Sequence, residues 1–410
     1  MRLKSVKFID GGVTAATGFK ASGIHVGVKT NNINKKDLAL IVADRECAAA
    51  AVYTKNVVKA APLHVTREHL KTGTARAIIA NSGNANACAP EGEMNALRMC
   101  DAAATALRID AADVLVASTG VIGQRLKVEV IEGGMAQLAA ELSDSGSGDA
   151  AAAIMTTDTT MKECAVACEI GGETVKIGGI AKGSGMIHPN MGTMLCFITT
   201  DCAITADMLG VALKSAANES FNRISVDGDT STNDMGIVLA SGAAGNAEIA
   251  DFGADFEIFD DALCALCVRL AREMASDGEG AKHLITCTVS GAASEEKAET
   301  IAKSVISSTL FKAAIFGADA NWGRVLCAMG YSGEEFDPEV VDVTFKSTAG
   351  EIAVCRAGRG LDFNEDLAKS VLTEHDIEVL INIHEGGCAC TCWGCDITYD
   401  YIKINGDYRT

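Results

Sequence analysis

Lys182-Gly183-Ser184-Gly185-Met186-Ile187-His188-Pro189-Asn190-Met191-Gly192-Thr193-Met194-Leu195 runs from polar, glycine-rich chain through a Pro-Asn turn into an apolar strand. The strand continues as Cys196-Phe197-Ile198 and ends in Thr199-Thr200-Asp201. A threonine at the base of a buried strand, preceded by a small residue, suits self-cleavage by an N→O acyl shift. Its hydroxyl attacks the preceding carbonyl, and hydrolysis of the resulting ester frees a new amino terminus. That terminus carries nucleophile and base together, because the hydroxyl attacks while the α-amine accepts its proton. An α-amine has an ordinary pKa of ~7.7–8.0, so a neutral fraction exists at operating pH without tuning. By spacing alone, the same pattern also describes an ordinary strand threonine beside a turn.

Working outward, apolar runs at Asp37–Ala43, Arg76–Ala80 and Val114–Ala117 read as buried strands. The last two end in small polar residues, Asn81-Ser82-Gly83-Asn84 and Ser118-Thr119-Gly120. Helical spacing marks Glu91–Leu107, Ala262–Met274 and Glu295–Ser307. Glu129–Leu142 shows it less clearly, because Gly133-Gly134 falls inside. Cys164–Ile177 reads as a hairpin turning at Gly171-Gly172, and Ile377–Ile404 as extended segments broken by a Gly/Cys cluster. Alternating strands and helices imply α/β or layered α+β architecture. With 410 residues, at least two packed units are expected, but no linker marks a boundary.

The composition narrows the function. Acidic residues number 54 against 35 basic, a net charge of −19, which argues against a nucleic acid or an anionic membrane as the main partner. No apolar run reaches the ~18 residues that span a bilayer. The opening Met1-Arg2-Leu3-Lys4-Ser5-Val6-Lys7 leads to Asp10-Gly11-Gly12 without an apolar segment, so a cytoplasmic protein with reduced thiols is expected. Most of the 16 cysteines then serve as small buried hydrophobes.

Several motifs are missing: the phosphate-binding glycine loops, the paired-histidine zinc helix and the serine elbow. Asp227-Gly228-Asp229-Thr230-Ser231-Thr232-Asn233-Asp234 opens like a calcium loop, but Thr232 stands where glycine is needed and Val238 where glutamate is needed. The seven histidines show no ligand spacing, and His64 and His69 sit near an expected helix start. Cys264 and Cys267 share a helix face and read as core. Cys388-Ala389-Cys390-Thr391-Cys392-Trp393-Gly394-Cys395 is dense enough for zinc or redox chemistry, although its spacing is not that of paired zinc knuckles.

The segment around Thr193 resembles the self-cleavage region of the ornithine acetyltransferase family, which includes glutamate N-acetyltransferases. The likeness covers nearly the whole chain. It runs through Asn81–Ala87, Ser118–Gly123, Ile154–Thr159, Phe221–Asp234, Asp277–Ala281, Asn321–Arg324 and Trp393–Thr410. It implies an α+β fold: a self-cleaving αββα sandwich with a smaller second α/β lobe. Cleavage between Gly192 and Thr193 would give fragments 1–192 and 193–410, which stay together as an (αβ)2 heterotetramer. The implied enzyme is a cytoplasmic transferase of arginine biosynthesis. It moves acetyl from N2-acetyl-L-ornithine to L-glutamate through an acetyl-threonine, with no metal and no cofactor. Acetyl-CoA as a second donor, which would make the enzyme bifunctional, stays open. The alternative of similar self-cleaving type is an amidohydrolase or aminopeptidase, in which water takes the acyl group.

The resemblance also implies roles. Thr193 is the nucleophile. Thr119 and Gly120 are the oxyanion pair, one hydroxyl and one backbone N–H. Thr156, Lys182, Thr193, Glu279, Asn405 and Thr410 contact substrate, with Thr157 an equal candidate beside Thr156. Lys182 suits the substrate α-carboxylate and Glu279 its ammonium. Gly192 stands where the family pattern has alanine, Ala320 where it has proline, and the Cys388–Cys395 cluster where it has Ser, Ala and Thr. Since the family needs no metal, that last departure favours packing over metal binding.

Overall fold

The structure is a computed structural model that describes residues 6–30, 34–188 and 194–407. In chain order the strands are β1 (Lys7–Ile9), β2 (Phe19–Ile24), β3 (Leu38–Tyr53), β4 (Thr74–Asn84), β5 (Val114–Val121), β6 (Lys162–Ile170), β7 (Glu173–Lys182), β8 (Leu195–Thr200), β9 (Ile224–Ser225), β10 (Met235–Ala240), β11 (Leu284–Ala292), β12 (Asp342–Ser347), β13 (Gly350–Arg356), β14 (Arg359–Gly360), β15 (Asp376–Asn382) and β16 (Cys388–Cys395). The helices are α1 (Ala61–His69), α2 (Gly92–Leu107), α3 (Val128–Ala140), α4 (Ser147–Ile154), α5 (Ala206–Glu219), α6 (Ala254–Ser276), α7 (Glu295–Ser307), α8 (Thr309–Phe316), α9 (Trp322–Gly330), α10 (Glu365–Leu372) and α11 (Tyr399–Asp407).

One strand makes the sandwich. The first half of β3, residues 38–43, pairs with β2, and its second half, residues 48–53, pairs with β10. Pairing with β4 is irregular between Val42 and Cys47, where the strand turns from one layer to the other. The path β1-β6-β7-β8-β10-β3-β4-β5 therefore forms a single hydrogen-bonded sheet that supplies two layers. Alternating side chains divide its residues between three cores. Ala39, Ile41, Ile78, Leu115, Ile180, Phe197, Ile237 and Leu239 meet in the middle. Leu38, Leu40, Ile79, Val114 and Val116 turn outward against α2 and α3. Val166, Ile177, Cys196, Ile198 and Val238 turn the other way against α5 and α6. The four layers match the expected αββα order.

The second lobe is a seven-stranded sheet in the order β14-β13-β12-β15-β11-β16-β9, with its own core beneath α7, α9 and α10. Trp393 and Cys395 at the end of β16 belong instead to the core of the first lobe, so the two lobes share apolar contacts. Among the described residues no helix is long and apolar enough to cross a membrane.

Most expected elements appear within a few residues of their predicted bounds, and α3 runs unbroken through Gly133-Gly134. Three expectations need correction. Residues 399–407 are helical, not extended. Thr398 caps that helix, its Oγ1 accepting from the N–H groups of Asp400 (3.2 Å) and Tyr401 (3.3 Å). His64 falls in the first turn of α1 as expected, but His69 ends the helix, with its Nδ1 2.7 Å from the Val114 carbonyl. The Cys388–Cys395 cluster is a strand, whose Cys390 and Cys392 are buried in the second lobe's core. All 16 cysteines are free thiols, and among the described residues no group of three or more His, Cys, Asp or Glu is placed to hold a metal ion.

Candidate active site

A cleft of about 150 Å³ opens where the ends of β5 and β7 meet the α6–β11 connection and α11. Thr119, Gly120, Thr156, Lys182, Glu279 and Asn405 all line it, brought together from five separated parts of the chain. Thr157 lines it as well, so both neighbouring threonines face the same space. Thr193, Gly192 and Thr410 lie outside the described residues.

The β4–β5 pairing is irregular at Gly83 and Asn84, opposite Gly120. Gly120 has a φ of +131°, and a Cβ there would sit 2.4 Å from the Gly83 carbonyl carbon. Glycine is therefore required if the two strands are to close this tightly. Thr119, just before it, is 9% exposed, and its Oγ1 accepts from Lys182 Nζ at 3.4 Å. Accepting leaves the threonine O–H free to donate into the cleft. A hydroxyl and a neighbouring peptide group at one strand end form a donor pair suited to a developing oxyanion.

Lys182 ends β7 and is 8% exposed. Gly185 follows on the same wall. A Cβ at Gly185 would meet the Glu279 carboxylate at 2.4–2.5 Å, so a larger residue there would push that flexible side chain aside. The Glu279 N–H donates to the Ser184 carbonyl (2.9 Å), and its Oε2 accepts from Asn405 Nδ2 (2.8 Å). The cleft lining thus carries both an ammonium and a carboxylate, matching a small substrate with charges of both signs.

A buried network stands behind these residues. Lys162 Nζ, shut off from solvent, donates to Asp158 Oδ1 (2.8 Å), Asp277 Oδ2 (2.5 Å) and the Thr160 carbonyl (3.2 Å). Asp158 also accepts from the Thr156 N–H (3.0 Å) and the Gly183 N–H (2.7 Å). Burial alone would raise the Asp158 carboxyl, but Lys182, Lys162 and these hydrogen bonds outweigh it and hold the carboxyl well below the ordinary range. Lys29, also near Lys182, donates to the carbonyls of Met155 and Lys36, each at 2.7 Å; burial lowers its ammonium to about 8.

Sequence reasoning did not single out Asn233. Its Nδ2 donates to the carbonyls of Ala85 (2.5 Å) and Ser118 (2.8 Å), pinning the strand end that presents Thr119. The only signal was its place in the Asp227–Asp234 run. That run binds its own chain: Asp227 accepts from the N–H groups of Met186 (2.6 Å), Ile187 (2.9 Å) and Asp229 (3.2 Å).

Fold and cleft together define an enzyme whose site is built from side chains and strand ends for a small, doubly charged substrate. The chain belongs to the ArgJ family, whose pattern matches residues 20–410. It is 52% identical over 406 residues to the arginine biosynthesis bifunctional protein ArgJ of Symbiobacterium thermophilum, covering 99% of this chain and all of that one. The protein of the same name from Caldanaerobacter subterraneus is 48% identical over 406 residues, again with 99% and full coverage. A crystal structure of the ArgJ bifunctional protein from Bacillus halodurans is 45% identical, covers 52% of this chain and 98% of its own, and has a TM-score of 0.49.

Proposed function

We propose that this member of the ArgJ family, an acetyltransferase of arginine biosynthesis, moves acetyl from N2-acetyl-L-ornithine to L-glutamate through an acetyl ester on Thr193. The observation that carries this reading is the meeting of Thr119, Gly120, Thr156, Lys182, Glu279 and Asn405 in one cleft. The family resemblance assigns all six positions to the site.

In the first half-reaction the Thr193 α-amine takes the proton of its own hydroxyl, and Oγ attacks the acetyl carbonyl carbon. The oxyanion forms against the Thr119 hydroxyl and the Gly120 N–H; one such donor typically contributes ~2.7–4 kcal/mol. The C–N bond breaks, the amine proton passes to the leaving nitrogen, and ornithine departs. In the second half glutamate's amine attacks the ester, giving N-acetylglutamate and restoring the hydroxyl. Lys182 pairs with the substrate α-carboxylate, and Glu279, oriented by Asn405, faces the ammonium. Thr156 and Thr410 add hydrogen bonds. No bound metal or organic cofactor takes part in this route.

Thr193 becomes an amino terminus by cleavage after Gly192, which gives fragments 1–192 and 193–410. These remain associated as an (αβ)2 assembly in the cytoplasm. The test is acetyl transfer from acetylornithine, with glutamate or water as acceptor. Transfer to glutamate that outruns hydrolysis and vanishes in Thr193→Ala supports the proposal; hydrolysis alone favours an amidohydrolase. Replacing acetylornithine by acetyl-CoA in the same assay separates the bifunctional from the monofunctional type.

A further inference from the structure

Among the described residues that line the cleft, only Ile122 and Met186 have large side chains without oxygen or nitrogen. Met186 is 42% exposed, an apolar side chain open to solvent among hydroxyls, amides and charges. Its backbone lies in the left-handed region, with a φ of +54°. Bulky residues seldom adopt that conformation, and it persists only where the surroundings hold it. Asp227 holds it here. Its Oδ2 accepts from the Met186 N–H (2.6 Å) and its Oδ1 from the Ile187 N–H (2.9 Å). Ile187 is buried, and its carbonyl accepts from the Val226 N–H (2.7 Å), so the chain is fixed on that side as well. Asp227 Oδ2 also accepts from the Tyr401 hydroxyl (3.4 Å), in the helix that carries Asn405. One carboxylate therefore ties Met186 to the far rim of the cleft.

Lys182 and Glu279 suit the two charged ends of acetylornithine, and between those ends lies a short run of methylenes. Met186 directly follows Gly185, whose Cβ position is 2.4–2.5 Å from the Glu279 carboxylate. That places Met186 at the ammonium end of the cleft. A thioether arm is unbranched and polarizable, and it packs well against methylenes. We propose that Met186, locked in place by Asp227, is the specificity-determining residue that sets the length of substrate side chain the cleft accepts, packing with Ile122 on the methylenes between the two charges. The inference rests on the reading of the cleft as the acetylornithine site. A side chain one methylene longer must buckle against Met186 to bring its ammonium to Glu279. One a methylene shorter leaves the Glu279 carboxylate without its partner. A fixed backbone makes the wall a gauge, because a freely moving Met186 would adjust to either length.

The test compares kcat/KM for two acetyl donors, N2-acetyl-L-ornithine and N2-acetyl-L-lysine, with glutamate as acceptor. One methylene in an apolar pocket changes kcat/KM by about 10–200-fold. Wild type should prefer acetylornithine by a factor in that range, and Met186→Ala should lower the preference about tenfold or more. Any misfolded fraction lowers both values alike and cancels from the ratio. Met186→Leu, of similar volume, should keep most of the preference. Asp227→Asn turns one oxygen into an amide nitrogen that cannot accept from the peptide N–H it faces. It should reduce the preference in the same direction although the Met186 side chain is intact. A wild type that treats the two donors equally overturns the proposal. So does Met186→Ala lowering both values by one factor, or Asp227→Asn with the wild-type preference. A wild type that takes acetyl from neither donor would instead overturn the reading of the cleft as the acetylornithine site.

Discussion

Asn405 Nδ2 donates to Glu279 Oε2 at 2.8 Å, tying the last helix of the described chain to the connection between the lobes, 126 residues earlier. The contact lies at the cleft rim, where Asn405 is exposed and Glu279 half-buried. A hydrogen bond there is worth ~0.5–1.5 kcal/mol net, about two- to tenfold in an equilibrium constant. Asn405→Ala should therefore raise KM for acetylornithine by about that factor and leave kcat nearly unchanged. Glu279→Gln, which removes the charge that faces the substrate ammonium, should raise KM more. Steady-state kinetics of the two variants checks both.

Lys162 joins Asp158 and Asp277 across 115 residues of chain. Removing one partner of a buried pair leaves an uncompensated charge and costs ~3–5 kcal/mol. Lys162→Met should lower the thermal midpoint accordingly. It should also reduce kcat/KM, because Asp158 holds the N–H groups of Thr156 and Gly183 and Asp277 lies two residues before Glu279. A variant of wild-type stability would show that the network carries no load. Activity per folded molecule separates the two effects.

The same network sets a pH dependence. The folded Asp158 carboxyl lies below its ordinary value of 3.8, so its contribution to stability is fully present above that pH and is lost as pH falls through the folded value. The difference in thermal midpoint between wild type and Asp158→Asn should be flat from neutrality to about pH 4 and shrink below it. A difference already shrinking at pH 6 would contradict this assignment.

Thiol reactivity follows burial. Cys88, Cys327 and Cys388 are exposed; burial pushes Cys47 and Cys100 up to about 12, and Cys196 and Cys267 are raised as well. A thiolate-selective reagent at neutral pH should label these three exposed cysteines rapidly, and Cys47, Cys100, Cys196 and Cys267 only after unfolding. Mass mapping of the labelled peptides gives the answer.

Strands and helices were legible where their periodicity was strong, as in α7, whose predicted and observed bounds coincide. The C-terminal helix was not, because none of its described residues is buried and so no apolar stripe marks it. Its cap at Thr398 was the available signal. The fold into two layers at the irregular stretch of β3 depends on pairing between distant segments, which no local pattern records. At the site, the lining residues followed from a resemblance covering nearly the whole chain. The supporting residues Asp158, Lys162 and Asn233 did not. A lysine or an asparagine reads as a surface residue until the fold encloses it, and their roles exist only through partners far away in sequence.

Passage of acetyl through Thr193 can be read in one experiment. That experiment is the intact mass of the protein after mixing with acetylornithine and no glutamate, when only the first half-reaction can run. Two fragments are expected, 1–192 and 193–410, with one acetyl group on the second alone, placed on the Thr193 side chain by fragmentation and removed when glutamate is added. Transfer without an acetylated fragment, or an acetyl group on any other residue, would contradict it.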